Sequence, residues 1–162
     1  MTETGVELID RTEAVARLPE FPDLLAVALT AQTRARAPYS NFRVGAAVLG
    51  GSGAVYPGCN VESASYGATI CAERSAIVGA VAAGETVIRA CVVVTPTAVP
   101  SSPCGICRQL LREFGTDLLV FAASSLGDGV YFATVGDLLP LSFGPANLDA
   151  AGSPRVSSGA LE

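Results

Sequence analysis

The feature that most constrains this chain is a set of three cysteines at two predicted helix starts, in a sequence that contains no histidine. Cys71 begins one helical segment, and Cys104 and Cys107 stand three residues apart in the first turn of another. Residues at i and i+3 share a helix face, and the free N–H groups of a helix N-terminus favour the thiolate form of cysteine. The three thiols can converge on one metal ion only if the two helices begin side by side.

Three cysteine ligands would leave one coordination position open on a tetrahedral zinc ion, which is typical of catalytic rather than structural zinc. Two further cysteines are candidates for a fourth ligand that would close the site. We interpret Cys91, at the start of a predicted buried strand, as a small core residue. Cys59 lies in a predicted loop and stays open as an alternative.

A carboxylate accompanies the first of these cysteines. Glu73 follows Cys71 by two residues, which is about 200° around an ideal helix. The two side chains can therefore share a site only if Cys71 occupies the helix end, with its side chain turned back over the terminus. We predict this geometry, with Glu73 accepting a proton at the site. For Glu73 taken alone, the preferred interpretation is a first-turn acid that stabilises the helix end.

The charge of three thiolates exceeds that of one zinc ion, so a positive group is needed nearby. Arg74 and Arg108 follow directly after Glu73 and Cys107, and hydrogen bonds from them to sulfur would supply that compensation. For either arginine alone, a surface salt bridge is an equally good interpretation.

Composition limits the classes of protein that fit. The chain has 162 residues, half of them hydrophobic, which is consistent with one domain and one core. A net charge of -5 argues against a nucleic-acid partner. No apolar run reaches the ~18 residues needed to cross a bilayer, so we expect no membrane partner. Five cysteines, an odd number, argue against a disulfide framework. We therefore expect a cytoplasmic protein.

The order of predicted elements indicates an α/β protein. A helix is followed by two strands, a helix, a strand, a helix and two strands, which predicts a mixed sheet of about five strands with helices on both faces. Residues 1–20 are expected to form a loosely held N-terminal extension and residues 149–162 a flexible tail rich in Gly, Ser and Pro. Residues 21–148 remain as the single catalytic domain.

Several motifs, in this order, resemble the cytidine deaminase superfamily. Cys71-Ala-Glu73 and Pro103-Cys-Gly-Ile-Cys107 resemble its zinc signature, in which the Glu is not a ligand. The resemblance to the small, tetrameric cytidine deaminases covers about residues 22–148. Its further motifs are Ala37-Pro-Tyr-Ser-Asn-Phe42, Val44-Gly-Ala-Ala47, Gly58-Cys-Asn-Val-Glu62, Ala64-Ser-Tyr66, Ser102-Pro-Cys-Gly-Ile-Cys-Arg-Gln109, Leu138-Leu-Pro140 and Phe143-Gly-Pro145.

The resemblance implies a three-layer α/β/α cytidine deaminase-like fold with one Zn²⁺ per subunit. Cys71, Cys104 and Cys107 would hold the zinc, and Glu73 would be the catalytic proton shuttle. Arg74 would bond the ligating sulfurs.

The same resemblance implies the residues that bind the substrate. Asn60 and Glu62 would bond the ribose 3′-hydroxyl, Phe42 would pack near the sugar and base, and the backbone of Ala72 would contact the pyrimidine carbonyl. Phe143 would stack on a base bound by a neighbouring subunit of a homotetramer, and Tyr66 would act across the same interface.

The implied reaction is hydrolysis of cytidine and deoxycytidine to uridine and deoxyuridine plus ammonia, in pyrimidine salvage. One alternative is a deaminase of another small nucleoside-like substrate, such as a nucleoside antibiotic. A deaminase of nucleic acid and a non-catalytic domain held by zinc are two further alternatives. The pair Asn60 and Glu62 favours a substrate with a ribose, because buried polar groups need matching hydroxyls.

Overall fold

The structure, a computed structural model, describes residues 5–150, without the side chains of 149 and 150. The predicted tail, residues 149–162, lies outside the described residues except for the backbone of its first two. None of the helices in the described part has the length and apolar character needed to span a membrane.

The strands are β1 (Glu7–Ile9), β2 (Gly45–Gly50), β3 (Val55–Cys59), β4 (Ile88–Thr95), β5 (Leu119–Ser124) and β6 (Val130–Thr134). The helices are α1 (Arg11–Arg17), α2 (Phe21–Thr33), α3 (Ala72–Ala82), α4 (Gly105–Arg112), α5 (Val135–Leu138) and α6 (Pro145–Ala150).

All six strands form one sheet, in the order β1-β6-β5-β4-β2-β3. β4 and β5 are parallel and are connected through α4, whereas the other neighbouring pairs are antiparallel. Helix α3 carries the chain from β3 across β2 to the central strand β4. The predicted mixed sheet is confirmed, with six strands instead of about five.

The additional strand comes from the N-terminal residues that were expected to be loosely held. β1 pairs with β6, and Ile9, Ala14 and Leu18 are buried in the core. The guanidinium of Arg17 lies 4.3 Å from the centre of the Phe132 ring. A strand of three residues and a helix of seven are too short to give a clear hydrophobic period, which explains why the sequence predicted a loose extension here.

The core has two parts, one on each face of the sheet. Along β2, Ala47 and Leu49 face the cluster that contains α1 and α2, while Ala46 and Val48 face the cluster that contains α3. This alternation follows from the two-residue period of a strand. Helices on both faces therefore give the predicted three layers.

Gly58 in β3 positions the start of α3. A Cβ at this residue would lie 2.2 Å from the carbonyl oxygen of Ala72 and 2.4 Å from the backbone nitrogen of Ala76. Only glycine permits so close an approach of the strand to the helix. The N-terminus of α3, with Cys71 before it, is thereby held against the sheet.

Candidate active site

The N-termini of α3 and α4 bring three cysteine sulfurs together. Cys71 and Cys104 are the N-cap residues of these helices, both with extended backbone, and Cys107 is buried in the first turn of α4. The Sγ atom of Cys104 lies 3.7 Å from that of Cys71 and 3.6 Å from that of Cys107. All three sulfurs lie within 4.8 Å of one another. Sulfurs bound to tetrahedral zinc by ~2.3 Å bonds stand roughly 3.8 Å apart, so the cluster fits this ion.

Glu73 lies beside this cluster, in the second position of α3. Its side chain is buried, with only 4% of the residue exposed. Burial is the main cause that raises the pKa of Glu73, and the negative charge of Cys71 raises it further, against hydrogen bonds that lower it. Because Cys71 caps the helix instead of belonging to its first turn, the two side chains can reach one point.

The cluster favours a thiolate on Cys71. A hydrogen bond from Cys107 is the main cause that lowers the pKa of Cys71 to about 6, with contributions from Cys104 and from the charge of Arg74, against the opposing effect of burial. The pKa of Cys107 is raised, first by the same hydrogen bond and then by burial. Arg74 also donates to the carbonyl oxygen of Thr69 at 3.5 Å. Arg74 therefore supplies positive charge next to the cysteines.

In the metal-free protein we expect iodoacetamide to alkylate Cys71 at a rate that rises with pH through a midpoint near 6, because only the thiolate reacts. Peptide mapping by mass spectrometry at each pH measures this rate, and added zinc is expected to suppress it. Cys91, which is fully buried, serves as an internal control that stays unlabelled. A midpoint near the ordinary cysteine value of about 8.5 would contradict the assignment.

A cavity of about 240 Å³ adjoins the cluster. It brings together predicted substrate-binding residues, two of the three predicted ligands and Glu73. No role was predicted from the sequence for the five lining residues Val44, Val93, Thr95, Ser101 and Ser102, although Val44 and Ser102 belong to motifs of the family resemblance. The full lining is Phe42, Val44, Asn60, Cys71, Ala72, Glu73, Val93, Thr95, Ser101, Ser102 and Cys104.

Asn60 holds the loop that forms one wall of this cavity. Its Oδ1 accepts from the backbone nitrogen of Val44, and its Nδ2 donates to the carbonyl oxygen of Phe42, both at 2.8 Å. Asn60 is 8% exposed, so these bonds satisfy a nearly buried amide. Phe42, whose carbonyl oxygen accepts one of these bonds, lines the cavity and is 39% exposed.

Glu62 and Tyr66 line a neighbouring cavity of about 370 Å³ instead. The carboxylate of Glu62 accepts from the backbone nitrogens of Tyr39 at 2.9 Å and Ser40 at 3.3 Å, and from the Ser40 hydroxyl. The bond from the hydroxyl is the first cause that lowers the pKa of Glu62. Tyr66 is 78% exposed and makes an edge contact with the ring of Tyr39. Within one chain, Glu62 and Glu73 thus face different cavities.

Phe143 lies outside both cavities and is 60% exposed. Its carbonyl oxygen accepts from Nε2 of Gln109 at 3.0 Å.

The expectation that Arg108 bonds a sulfur is wrong. Its guanidinium donates to the carbonyl oxygens of Pro103 at 2.7 Å and Leu138 at 3.0 Å, and to Oγ of Ser102 at 3.0 Å. Arg108 therefore anchors the segment that leads into Cys104. Arg74 is then the arginine that offsets the negative charge of the cysteine sulfurs.

A site that combines three sulfur donors, a buried carboxylate and an adjoining cavity is typical of a metal-dependent hydrolytic enzyme. Residues 21–123 match the family model described as the cytidine and deoxycytidylate deaminase zinc-binding region. The chain belongs to this family.

Individual relatives agree with this assignment. A cytidine deaminase of Sporosarcina psychrophila is 41% identical over 128 residues, which are 79% of this chain and 94% of the relative. One of Halalkalibacterium halodurans is 43% identical over 121 residues, 74% of this chain and 91% of the relative. The crystal structure of a cytidine deaminase from Burkholderia pseudomallei superposes with a TM-score of 0.72 at 46% identity, over 75% of this chain and 98% of that one.

Proposed function

We propose that this protein hydrolyses cytidine and deoxycytidine to uridine and deoxyuridine, with release of ammonia, as a step of pyrimidine salvage. The observation that carries the proposal is the buried carboxylate of Glu73 beside the three-sulfur cluster, at a cavity of about 240 Å³. All residues proposed for the reaction lie within residues 21–148, while β1 and α1 before them pack into the same sheet and core.

Glu73 serves as base and acid in turn. As a carboxylate it takes a proton from the attacking water, whose oxygen bonds to C4 of the ring. It then gives a proton to N3 and assists departure of the amino group as ammonia, so that water and cytidine balance uridine and ammonia. Burial raises the pKa of Glu73 and brings its neutral form closer to the working pH, which this double role requires.

Cys71, Cys104 and Cys107 would hold the zinc ion, one per subunit. A zinc ion there would supply Lewis acidity to the attacking water. Arg74 offsets the negative charge of the thiolates through its proximity to Cys71.

The substrate is held by the walls of the cavity. Phe42 packs against the sugar and base, and the backbone of Ala72 bonds the pyrimidine carbonyl. Asn60 positions the loop of Phe42 through one bond to the backbone of Phe42 and one to that of Val44, and keeps one amide hydrogen for the ribose 3′-hydroxyl. Glu62, which lines the neighbouring cavity, would bond the same hydroxyl.

Exposed side chains support a homotetramer in which subunits complete one another's pockets. Tyr66 and Phe143 are 78% and 60% exposed, which makes them available to a neighbouring subunit. On the outer side of α3 and α4, Val78 and Ile106 are 63% and 64% exposed and flank one depression. Apolar surface of this kind is typical of subunit contacts.

We place the protein in the cytoplasm, because three unpaired cysteines at a metal site require a reducing compartment. Water and a small nucleoside are its partners in this proposal.

The proposal is tested by incubating the zinc-loaded protein with cytidine, deoxycytidine and free cytosine, and measuring ammonia and the deaminated product. We expect one ammonia per uridine or deoxyuridine formed, and a kcat/KM for cytosine far below that for cytidine. Equal rates on cytidine and cytosine would show that the sugar is not recognised. Absence of turnover of all three would contradict the proposal and favour the nucleoside-antibiotic alternative.

A further inference from the structure

A cluster of hydroxyl groups contributes to the wall of the cavity of about 240 Å³. The cluster lies between the end of β4 and the start of α4. Thr95 and Ser101 line the cavity, whereas Thr97 lies behind them and does not. The Oγ1 of Thr97 lies 2.9 Å from Oγ1 of Thr95 and 3.5 Å from Oγ of Ser101.

The direction of each hydrogen bond in this cluster follows from the bond that Thr97 makes to the backbone. Its hydroxyl donates to the carbonyl oxygen of Val99 at 2.6 Å. A threonine hydroxyl has one proton, so towards Thr95 and Ser101 it can only accept. Thr95 and Ser101 must therefore donate to Thr97 in these two contacts.

Thr95 also accepts from the backbone nitrogen of Ser101 at 3.3 Å, which leaves its hydroxyl with one lone pair. Ser101 keeps both lone pairs. Neither hydroxyl has a second proton to offer, so towards a molecule in the cavity each can act only as an acceptor.

We propose that Thr97 is a positioning residue that fixes Thr95 and Ser101 as hydrogen-bond acceptors, so that this wall favours the amino group of a cytosine ring over the carbonyl of a uracil ring. The inference rests on the proposed function, because it concerns the substrate and product of that reaction. Its consequence is weak binding of the product, since an acceptor facing a carbonyl oxygen gains no hydrogen bond.

The backbone of Thr97 is fixed from outside the cavity. Its carbonyl oxygen accepts from the hydroxyl of Ser124, a fully buried residue at the end of β5. The carbonyl oxygen of Thr95 accepts from the backbone nitrogen of Ser125 at 3.1 Å. These bonds connect the backbone of Thr95 and Thr97 to β5. The Thr97 hydroxyl is therefore held in one orientation, towards the carbonyl oxygen of Val99.

Ser102 in the same wall has the opposite polarity. Its Oγ accepts from Arg108 at 3.0 Å, so its proton remains available to a ligand. The wall thus offers acceptors at Thr95 and Ser101 and a donor at Ser102, at separate positions.

The test compares wild type, Thr97→Val and Thr97→Ser, all loaded with zinc. The dissociation constant of uridine is measured by calorimetry and the KM of cytidine by steady-state kinetics. Valine matches threonine in shape but frees the protons of Thr95 and Ser101 to turn towards a carbonyl. We expect the ratio of the uridine constant to the cytidine KM to fall about fivefold in Thr97→Val, the effect of one hydrogen bond, and to return to the wild-type value in Thr97→Ser.

A purely structural role of Thr97 would weaken both ligands alike, and an unchanged ratio in Thr97→Val would overturn the inference. A fall in both variants would also overturn it, because the serine variant keeps the hydroxyl. Wild-type protein that does not convert cytidine at all would overturn the proposed function and this inference together, so the two failures are distinguishable.

Discussion

Replacement of Glu73 by Gln is expected to lower kcat for cytidine by about 10²- to 10⁴-fold, the usual contribution of a positioned general acid–base group. Gln keeps the size of the side chain and can occupy the same buried position, but it cannot carry a proton between water and N3. Because the carboxylate is not among the three sulfur donors, the variant is expected to keep one zinc per chain. Steady-state kinetics with a parallel zinc determination measures both effects.

Glu20→Gln is a matched control with the same chemical change. Glu20 forms a surface ion pair with Arg89, at the end of the sheet opposite the site, with 3.4 Å between the charged atoms. Such pairs contribute about 0–1 kcal/mol to stability and have no path to the chemistry. This control is expected to retain wild-type kcat. A Glu73→Gln protein with both full zinc and wild-type turnover would exclude Glu73 as the proton shuttle.

Replacement of Cys104 by Ala is expected to abolish stoichiometric zinc binding and, with it, turnover. Cys104 stands between the other two sulfurs, at 3.7 Å and 3.6 Å, and its removal leaves two donors. Thermal unfolding with and without zinc gives a second readout. A ligand present at 100 times its dissociation constant stabilises a protein by about 2.7 kcal/mol, and we expect this increment to vanish in the variant.

Cys59→Ala is the informative control, because the sequence left Cys59 open as a fourth ligand. The group of sulfurs that the structure brings together among the described residues contains Cys71, Cys104 and Cys107 but not Cys59. The Cys59 variant should therefore keep its zinc and its zinc-dependent stabilisation. A full equivalent of zinc in Cys104→Ala, bound as tightly as in wild type, would show that the ligand set is different.

The cysteine cluster was the predictable part of the site, because its residues lie at the starts of two helices. Two helix N-termini separated by one strand can place Cys71 beside Cys104 if the helices are neighbours, and in the structure the two sulfurs lie 3.7 Å apart. The cap position of Cys71 was also predictable, since no other placement lets it share a site with Glu73. The same reasoning gave the layers and the mixed sheet.

Contacts within loops were not predictable, because they depend on which hydrogen bonds a particular backbone path leaves free. Nothing in the sequence showed that Ser40 and its neighbour would bind the carboxylate of Glu62 in a separate cavity. No sequence pattern shows that Thr95 donates its proton to Thr97 either. The direction of that hydrogen bond follows from a single bond, which the Thr97 hydroxyl donates to the carbonyl oxygen of Val99. Roles for Tyr66 and Phe143 across a subunit interface stay predictions.

Loss of cytidine absorbance, followed in one protein sample before metal removal, after chelation and after zinc is restored, tests the central claim most directly. That claim is that Cys71, Cys104 and Cys107 hold a zinc ion which, together with Glu73, deaminates cytidine. We expect turnover to disappear with the metal and to return in proportion to zinc bound, up to one equivalent per chain. Unchanged turnover by protein shown to contain no metal would contradict the claim.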